Sequence, residues 1–255
     1  MRNFIFSINK EQFFAGLGIV VIILLWYGLS CRYNAVIMPS PQSALTSLVE
    51  FFRTGEAQSQ MAITFQRAVG GLTFGILAGL LSGVLAGSFE PLEYMLRPVV
   101  RVLLSVPAII FAVMAMVWFG MGTKMAIFLV ALLVFPVMHT NIVQGFKAID
   151  HSLLEMVVVY QVPVLIRIRK IYFPALLHAF VAGFTLCATS AVRLTIMAEL
   201  LGAREGIGQK IGISRAYLET EKLFAWVILL FLIVVSLEWL IVRPLNRFSR
   251  KWEAN

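Results

Sequence analysis

The chain has 255 residues, of which 60% are apolar or aromatic and 13% charged, where a soluble domain carries roughly a quarter charged residues. With a mean hydropathy of +0.90, it has more apolar surface than one core of this size can hide, so the missing solvent is lipid and a water-soluble reading does not fit. The net charge of +8, from 21 Lys and Arg against 13 Asp and Glu, collects at the edges of apolar runs. It therefore reads as a topology and anionic-lipid signal rather than as a nucleic-acid footprint.

In chain order, six apolar runs, the first five without charge, are long enough to cross about 30 Å of hydrocarbon as helices: 13–31, 68–89, 102–123, 125–146, 171–192 and 223–242. The predicted fold is all-α, with six transmembrane helices. The first run is too long for a signal-peptide core and lacks a cleavage site, so it counts as a span. Only the last contains a carboxylate, Glu238. Placing both termini in the cytoplasm puts twelve basic residues inside against nine outside. The dense clusters Arg167, Arg169, Lys170 and Arg250, Lys251 then fall in short inner segments, as the positive-inside rule requires.

The outer segment 32–66 carries Met38-Pro39-Ser40-Pro41 and then Leu45, Leu48, Val49 and Phe52 on one helical face, with Ser40 as cap and Pro41 in the first turn. This amphipathic helix is expected at the outer membrane surface or against other helices. Residues 1–66 thus form a tail, a first span and an outer segment, and 67–255 the core. The second span has Gly71, Gly75, Gly79, Gly83 and Gly87 at a strict period of four, a stripe that lets another helix approach closely, within the subunit or across a dimer seam. Cys31 and Cys187 have no metal or redox spacing and read as small packing residues.

No phosphate-binding loop, zinc-protease motif or nucleophile elbow is present. His139, His151 and His178 are scattered and read as structural, with no metal site. The informative stretch is the inner segment 147–170. Ser152 followed by Glu155 has capping-box spacing, and Pro163 stops the helix that this predicts. Leu153, Leu154, Met156, Val157, Val158, Val159, Tyr160 and Val162 make it apolar nearly all round. Such a helix is too short to span a bilayer and too apolar to face water, which leaves burial in its own protein or insertion into a groove on a partner.

Here the residues resemble a family. Glu155, Ile171 and Pro174 stand at the relative positions of the Glu-Ala-Ala, Ile and Pro signature of ABC importer permeases, with Met156 and Val157 in place of the alanines and Gln161 where glycine is expected. The chain is similar to the branch serving nitrate, alkanesulfonates, taurine and related compounds. That likeness rests on Met38-Pro39-Ser40-Pro41, Thr64-Phe65-Gln66-Arg67, Pro107, Trp118-Phe119-Gly120-Met121-Gly122, and Ala198-Glu199-Leu200-Leu201-Gly202 with Gly206-Ile207-Gly208. Ala112, in place of a second proline, and Arg193, where tryptophan is frequent, depart from the pattern.

The resemblance implies a type I importer permease fold, one peripheral helix on a five-helix core, in a bacterial inner membrane. It implies alternating access through a dimer of this chain, or of this chain and a close relative, driven by two cytoplasmic ATPase subunits that clasp the segment around Glu155, Met156, Val157, Tyr160, Gln161, Ile171 and Pro174. A periplasmic or lipid-anchored binding protein would deliver the solute. ATP and Mg would be bound by the partner ATPase and no cofactor by this chain, which is not an enzyme. Arg193, Glu199, Thr140, Asn141, Thr185 and Ser190 are candidate pathway or gate residues. Snorkelling by Arg193 and hydrogen bonds between helices are the structural alternatives. A vitamin precursor or a metal oxyanion is an alternative solute. An ion-coupled carrier fits less well, because the first five spans contain no Asp or Glu, and an intramembrane enzyme would need a catalytic cluster the chain does not offer.

Overall fold

The computed structural model describes residues 2–242 and 244, and among these every regular element is helical. In order these are α1 (Arg2–Arg32), α2 (Pro41–Arg53), α3 (Glu56–Ser88), α4 (Glu90–Ser105), α5 (Ala108–Phe119), α6 (Thr123–Lys147), α7 (His151–Val159), α8 (Val164–Arg167), α9 (Phe173–Gly202), α10 (Ile207–Ala216) and α11 (Thr220–Leu237). A π-helical turn, Ile168–Tyr172, joins α8 to α9, and another, Glu238–Val242, follows α11. Of the expected inner basic tail, Arg250 and Lys251 lie outside the described residues.

Among the described residues four helical stretches are long and apolar enough to cross a membrane: Glu56–Ser88, Thr123–Lys147, Val164–Gly202 and Thr220–Leu240. A fifth arises if α4 and α5, bent by 100°, count as one span. The expected span 13–31 falls within α1, whose described apolar stretch, Gly16–Arg32, is shorter. The expected span 102–123 is therefore broken into two helices, Glu90–Ser105 and Ala108–Phe119. Pro107 clashes with a helical preceding residue, Val106 takes an extended ψ of 132°, and the chain turns there. Two other spans are longer than expected. Since α3 starts at Glu56 and α9 runs on to Gly202, Arg67 and Arg193 lie inside helices rather than at span ends.

The chain packs as two compact units, one holding residues up to Ser59 with Lys210–Leu230, the other Gln60–Gln209 and the chain from Phe231 on. In the first, the Phe51 and Trp226 rings stack at 4.4 Å and Trp26 stacks on Phe224 at 5.5 Å. Ser40 caps α2, its Oγ accepting the Ser43 N–H at 3.1 Å. Of the apolar face read from the sequence, Leu48 is buried, together with Ala44 and Phe51, while Leu45, Val49 and Phe52 are exposed. The apolar positions of α2 outnumber one face, and the ring stack on Trp226 selects the face that holds Phe51.

In the second unit α6 is central. Its partner α3 runs parallel to it, and Gly71, Gly75, Gly79, Gly83 and Gly87 meet Val130, Val134, Met138, Ile142 and Phe146 in turn, a step of four on both helices. A Cβ on Gly75 would stand 2.8 Å from the Ala131 carbonyl oxygen, and one on Gly79 2.7 Å from that of Phe135. The glycine stripe is thus an α3–α6 contact within one subunit. On its other side α6 packs antiparallel to α9, with Gly145 on Ala179 and Gly183 on Met138 and Asn141. Ile76, Val130, Val134, Met138, Ile142, Cys187 and Ala191 form the core between the three helices. A second cluster, Ala112, Ala115, Met125, Ala126, Leu129 and Ala198, seats α5 on α6 and α9.

Candidate functional site

At the end of this unit where α6 finishes, three residues lead into α7. Its N-cap is Asp150, whose Oδ1 accepts the Ser152 N–H at 2.9 Å. The helix therefore begins before the predicted Ser152 cap, and Glu155 lies exposed on its surface rather than closing a capping box. It ends at Val159, short of Pro163, because Gln161 takes a left-handed φ of +46°. The Val162 N–H then reaches the Val157 carbonyl and the Gln161 N–H that of Val158, both at 3.1 Å, the two bonds of a Schellman cap. Glycine suits this position because it alone enters the left-handed region without a Cβ penalty.

Among residues 152–159 of α7 only Val157 is buried, with Leu154 partly covered; Met156, Val158, Val159 and the following Tyr160 are exposed, Val159 by 77%. The strip continues through Val164 and Leu165 into α8. Ile171, in the π-helical turn, and Pro174, in the first turn of α9, are half-buried. The structure thus gathers Glu155, Met156, Tyr160 and Gln161 on one exposed apolar segment and leaves Ile171 and Pro174 in its return to the bundle. At the same end Glu93, in the first turn of α4, accepts from Lys147 Nζ at 2.5 Å and Arg97 Nη2 at 2.6 Å.

The opposite end holds a buried polar cluster. Glu199 Oε1 accepts from Arg67 Nη1 at 2.9 Å. The Thr64 hydroxyl donates to the Glu199 carboxylate, 3.0 and 2.9 Å from its two oxygens, and the Gly208 N–H donates to Oε2 at 3.0 Å. Arg67 also donates from Nη1 to the Glu205 carbonyl at 2.6 Å and from Nε to the Thr123 hydroxyl at 3.1 Å. The Ile207 N–H reaches Thr64 Oγ1 at 3.0 Å and the Gly206 N–H reaches Gln60 Oε1 at 2.6 Å. Gly206, at φ +106°, lies against the carboxylate, which leaves no room for a side chain. Charge neutralisation and the full set of bonds make so buried a carboxylate tolerable.

Sequence reasoning quoted both halves of this cluster, Thr64 to Arg67 and Glu199 to Gly208, without joining them. The available signal was one cation, Arg67, directly before the expected span 68–89, and one carboxylate, Glu199, in the segment that follows the expected span 171–192. Glu199, expected as a pathway or gate residue, is 1% exposed and, with Arg67, fastens the 203–206 loop and the first turn of α10 to α3 and the start of α6. Thr140, Asn141 and Thr185 bond to the Pro136, Val137 and Val181 carbonyls of their own helices at 2.7, 2.8 and 2.9 Å. This corrects the expectation of bonds between helices. Ser190 is half-buried. Arg193 is exposed on α9, its Nε 3.4 Å from the Thr189 carbonyl. An apolar cavity of about 260 Å³, with Met61, Phe65, Val192, Ile196, Ile233 and Leu237 in its wall, has no charged lining residue and so offers no hold on an ion.

Known proteins agree with this architecture. Residues 71–248 match the family model described as binding-protein-dependent transport system inner membrane component. The chain is 31% identical over 235 residues, 91% of its length and 84% of the relative's, to the aliphatic sulfonates transport permease SsuC of Bacillus subtilis (strain 168). It is 28% identical to the riboflavin transport system permease RibX of Chloroflexus aurantiacus, over 88% of this chain and 83% of that one. A chain of the MetNI methionine ABC transporter, in an inward-facing conformation, superposes with a TM-score of 0.61 at 23% identity, covering 74% of this chain and 93% of that chain. The chain belongs to the binding-protein-dependent transport system inner membrane component family: it is an ABC importer permease subunit of type I fold, and ATP hydrolysis falls to a partner subunit.

Proposed function

We propose that two copies of this chain line the pathway of an importer for small sulfonate-type anions, with both termini in the cytoplasm and α7 inserted into the ATPase. ATP and Mg bind to that ATPase, and an external binding protein delivers the solute. The observation that carries the docking is the exposure of Met156, Val158, Val159 and Tyr160 on a helix of nine residues. An apolar strip that cannot span lipid gains free energy by filling a groove, at roughly 25 cal/mol per Å² of apolar surface covered. With N-in topology, α7 and the basic residues Arg167, Arg169 and Lys170 share the cytoplasmic side. ATP-driven closure of the ATPase pair then shifts α7 as a rigid body and tilts the spans.

The sulfonate relative supports an anionic solute. The riboflavin relative favours a second reading, a larger planar solute through the same pathway. The test reconstitutes the chain with the ATPase and binding protein encoded beside it and measures ATP-dependent uptake of methane-, ethane- and butanesulfonate and of riboflavin. Uptake of the sulfonates alone supports the first reading and uptake of riboflavin alone the second. A cysteine at Tyr160 that crosslinks to the ATPase in no nucleotide state would sink the docking.

A further inference from the structure

We infer that Glu93 is a positioning residue that passes the movement of α7 into α4 through its ion pair with Lys147; this rests on the reading of α7 as the ATPase-docking helix. Lys147 is the last residue of α6, and only Ala148, Ile149 and Asp150 separate it from α7. Ile149 is buried and Asp150 caps α7, so this connection is short and held at both ends. The other connection runs through the left-handed turn at Gln161, the four residues of α8 with Val164 and Leu165 exposed, and a π-helical turn. A displacement of α7 therefore reaches the end of α6 with less slack than it reaches α9.

What receives it there is α4. Among the described residues α4 buries only Val100, so apolar packing holds it weakly, and its first turn is tied to α6 by Glu93, whose side chain is 13% exposed. Neighbouring contacts at this end, Gly87 on the Phe146 ring and Phe146 against Tyr172 at 5.8 Å, are apolar and do not fix direction. An ion pair does, because it is lost when either partner slides away. Beyond the Val106–Pro107 bend α4 continues into α5, which exposes Ile110, Val113, Val117 and Trp118 and ends in a turn with positive φ at Gly120 and Gly122. A lever anchored at one end by Glu93 and jointed at the other would move α5 while the Arg67–Glu199 cluster stays closed. Arg97 bonds the same carboxylate from within α4, 2.6 Å away, and cannot link two helices.

The test uses the complex assembled with its ATPase, in a background with Cys31 and Cys187 replaced by serine. Spin labels at Met95 on α4 and Leu186 on α9, both exposed, report an interspin distance with and without ATP. The wild type is expected to show an ATP-induced change. In Glu93→Gln and Lys147→Gln its amplitude should fall by about two- to fivefold, the range a partly exposed ion pair supplies, while a cysteine at Tyr160 still crosslinks to the ATPase. The exchange Glu93→Lys with Lys147→Glu should restore the amplitude, and Arg97→Gln should keep it. A wild-type amplitude in both single variants, an exchange that restores nothing, or an equal loss in Arg97→Gln would overturn the inference. If Tyr160 fails to crosslink in the wild type, the docking reading fails, and the inference with it.

Discussion

Arg67 Nη1 and Glu199 Oε1 stand 2.9 Å apart, with side chains 3% and 0% exposed, and Thr64, Thr123, the Glu205 carbonyl and the Gly208 N–H each bond to the pair. Removing one partner leaves the other charge buried and unpaired, at a cost of about 3–5 kcal/mol, whereas removing both leaves no charge to solvate. Arg67→Met and Glu199→Met should therefore each lower the unfolding midpoint in detergent by far more than half of what the double variant loses. Additive single losses in that cycle would mean that the two residues do not act as a pair.

This pair marks the limit of what the sequence made legible. The glycine period of four was visible because spacing along one helix is local information, but that α6 is the partner of the stripe depends on two helices meeting in space. The α7 strip was visible as an apolar run too short to cross lipid. Its boundaries shifted because Asp150 is available as a cap two residues before Ser152, and Gln161 turns left-handed before Pro163 is reached. The break after α4 was written in Pro107, yet an uncharged run of span length hid it. Arg67 and Glu199 are 132 positions apart, and nothing local to either announces the other.

The close approach of α3 and α6 makes a second prediction. At Gly79 an added methyl meets the Phe135 carbonyl oxygen, a backbone atom that cannot turn aside, whereas at Gly70 it meets only the end of the Ile127 side chain at 3.3 Å. Gly79→Ala should lower stability by about 1–3 kcal/mol, the usual cost of overpacking, and Gly70→Ala by much less. Thermal midpoints of the two variants in one detergent decide it, and equal losses would contradict the parallel register of the two helices.

Arg193 offers a test of solute contact. It is exposed within α9, nine residues before the helix ends. As part of an anion pathway, Arg193→Gln should raise the apparent KM for ethanesulfonate uptake by about tenfold or more, as loss of a charge-assisted hydrogen bond does, with maximal rate changed less. An unchanged KM for all three sulfonates would place the guanidinium at lipid headgroups instead.

The last prediction concerns backbone conformation. Gln161 and Leu218, at φ +46° and +57°, both close Schellman caps without glycine. An L residue in that region gives up about 1–2 kcal/mol, and glycine recovers it less about 0.4–1 kcal/mol of extra unfolded-chain entropy. Gln161→Gly should therefore stabilise the end of α7 modestly, slowing exchange of the Val162 amide, which bonds the Val157 carbonyl, by up to about tenfold. Gln161→Val should speed that exchange, because β-branching disfavours positive φ further. Neither change alters the exposed residues Met156, Val159 and Tyr160, so crosslinking of Tyr160→Cys to the ATPase should persist in both. Loss of the crosslink in Gln161→Gly would show that the Gln161 side chain itself contacts the partner.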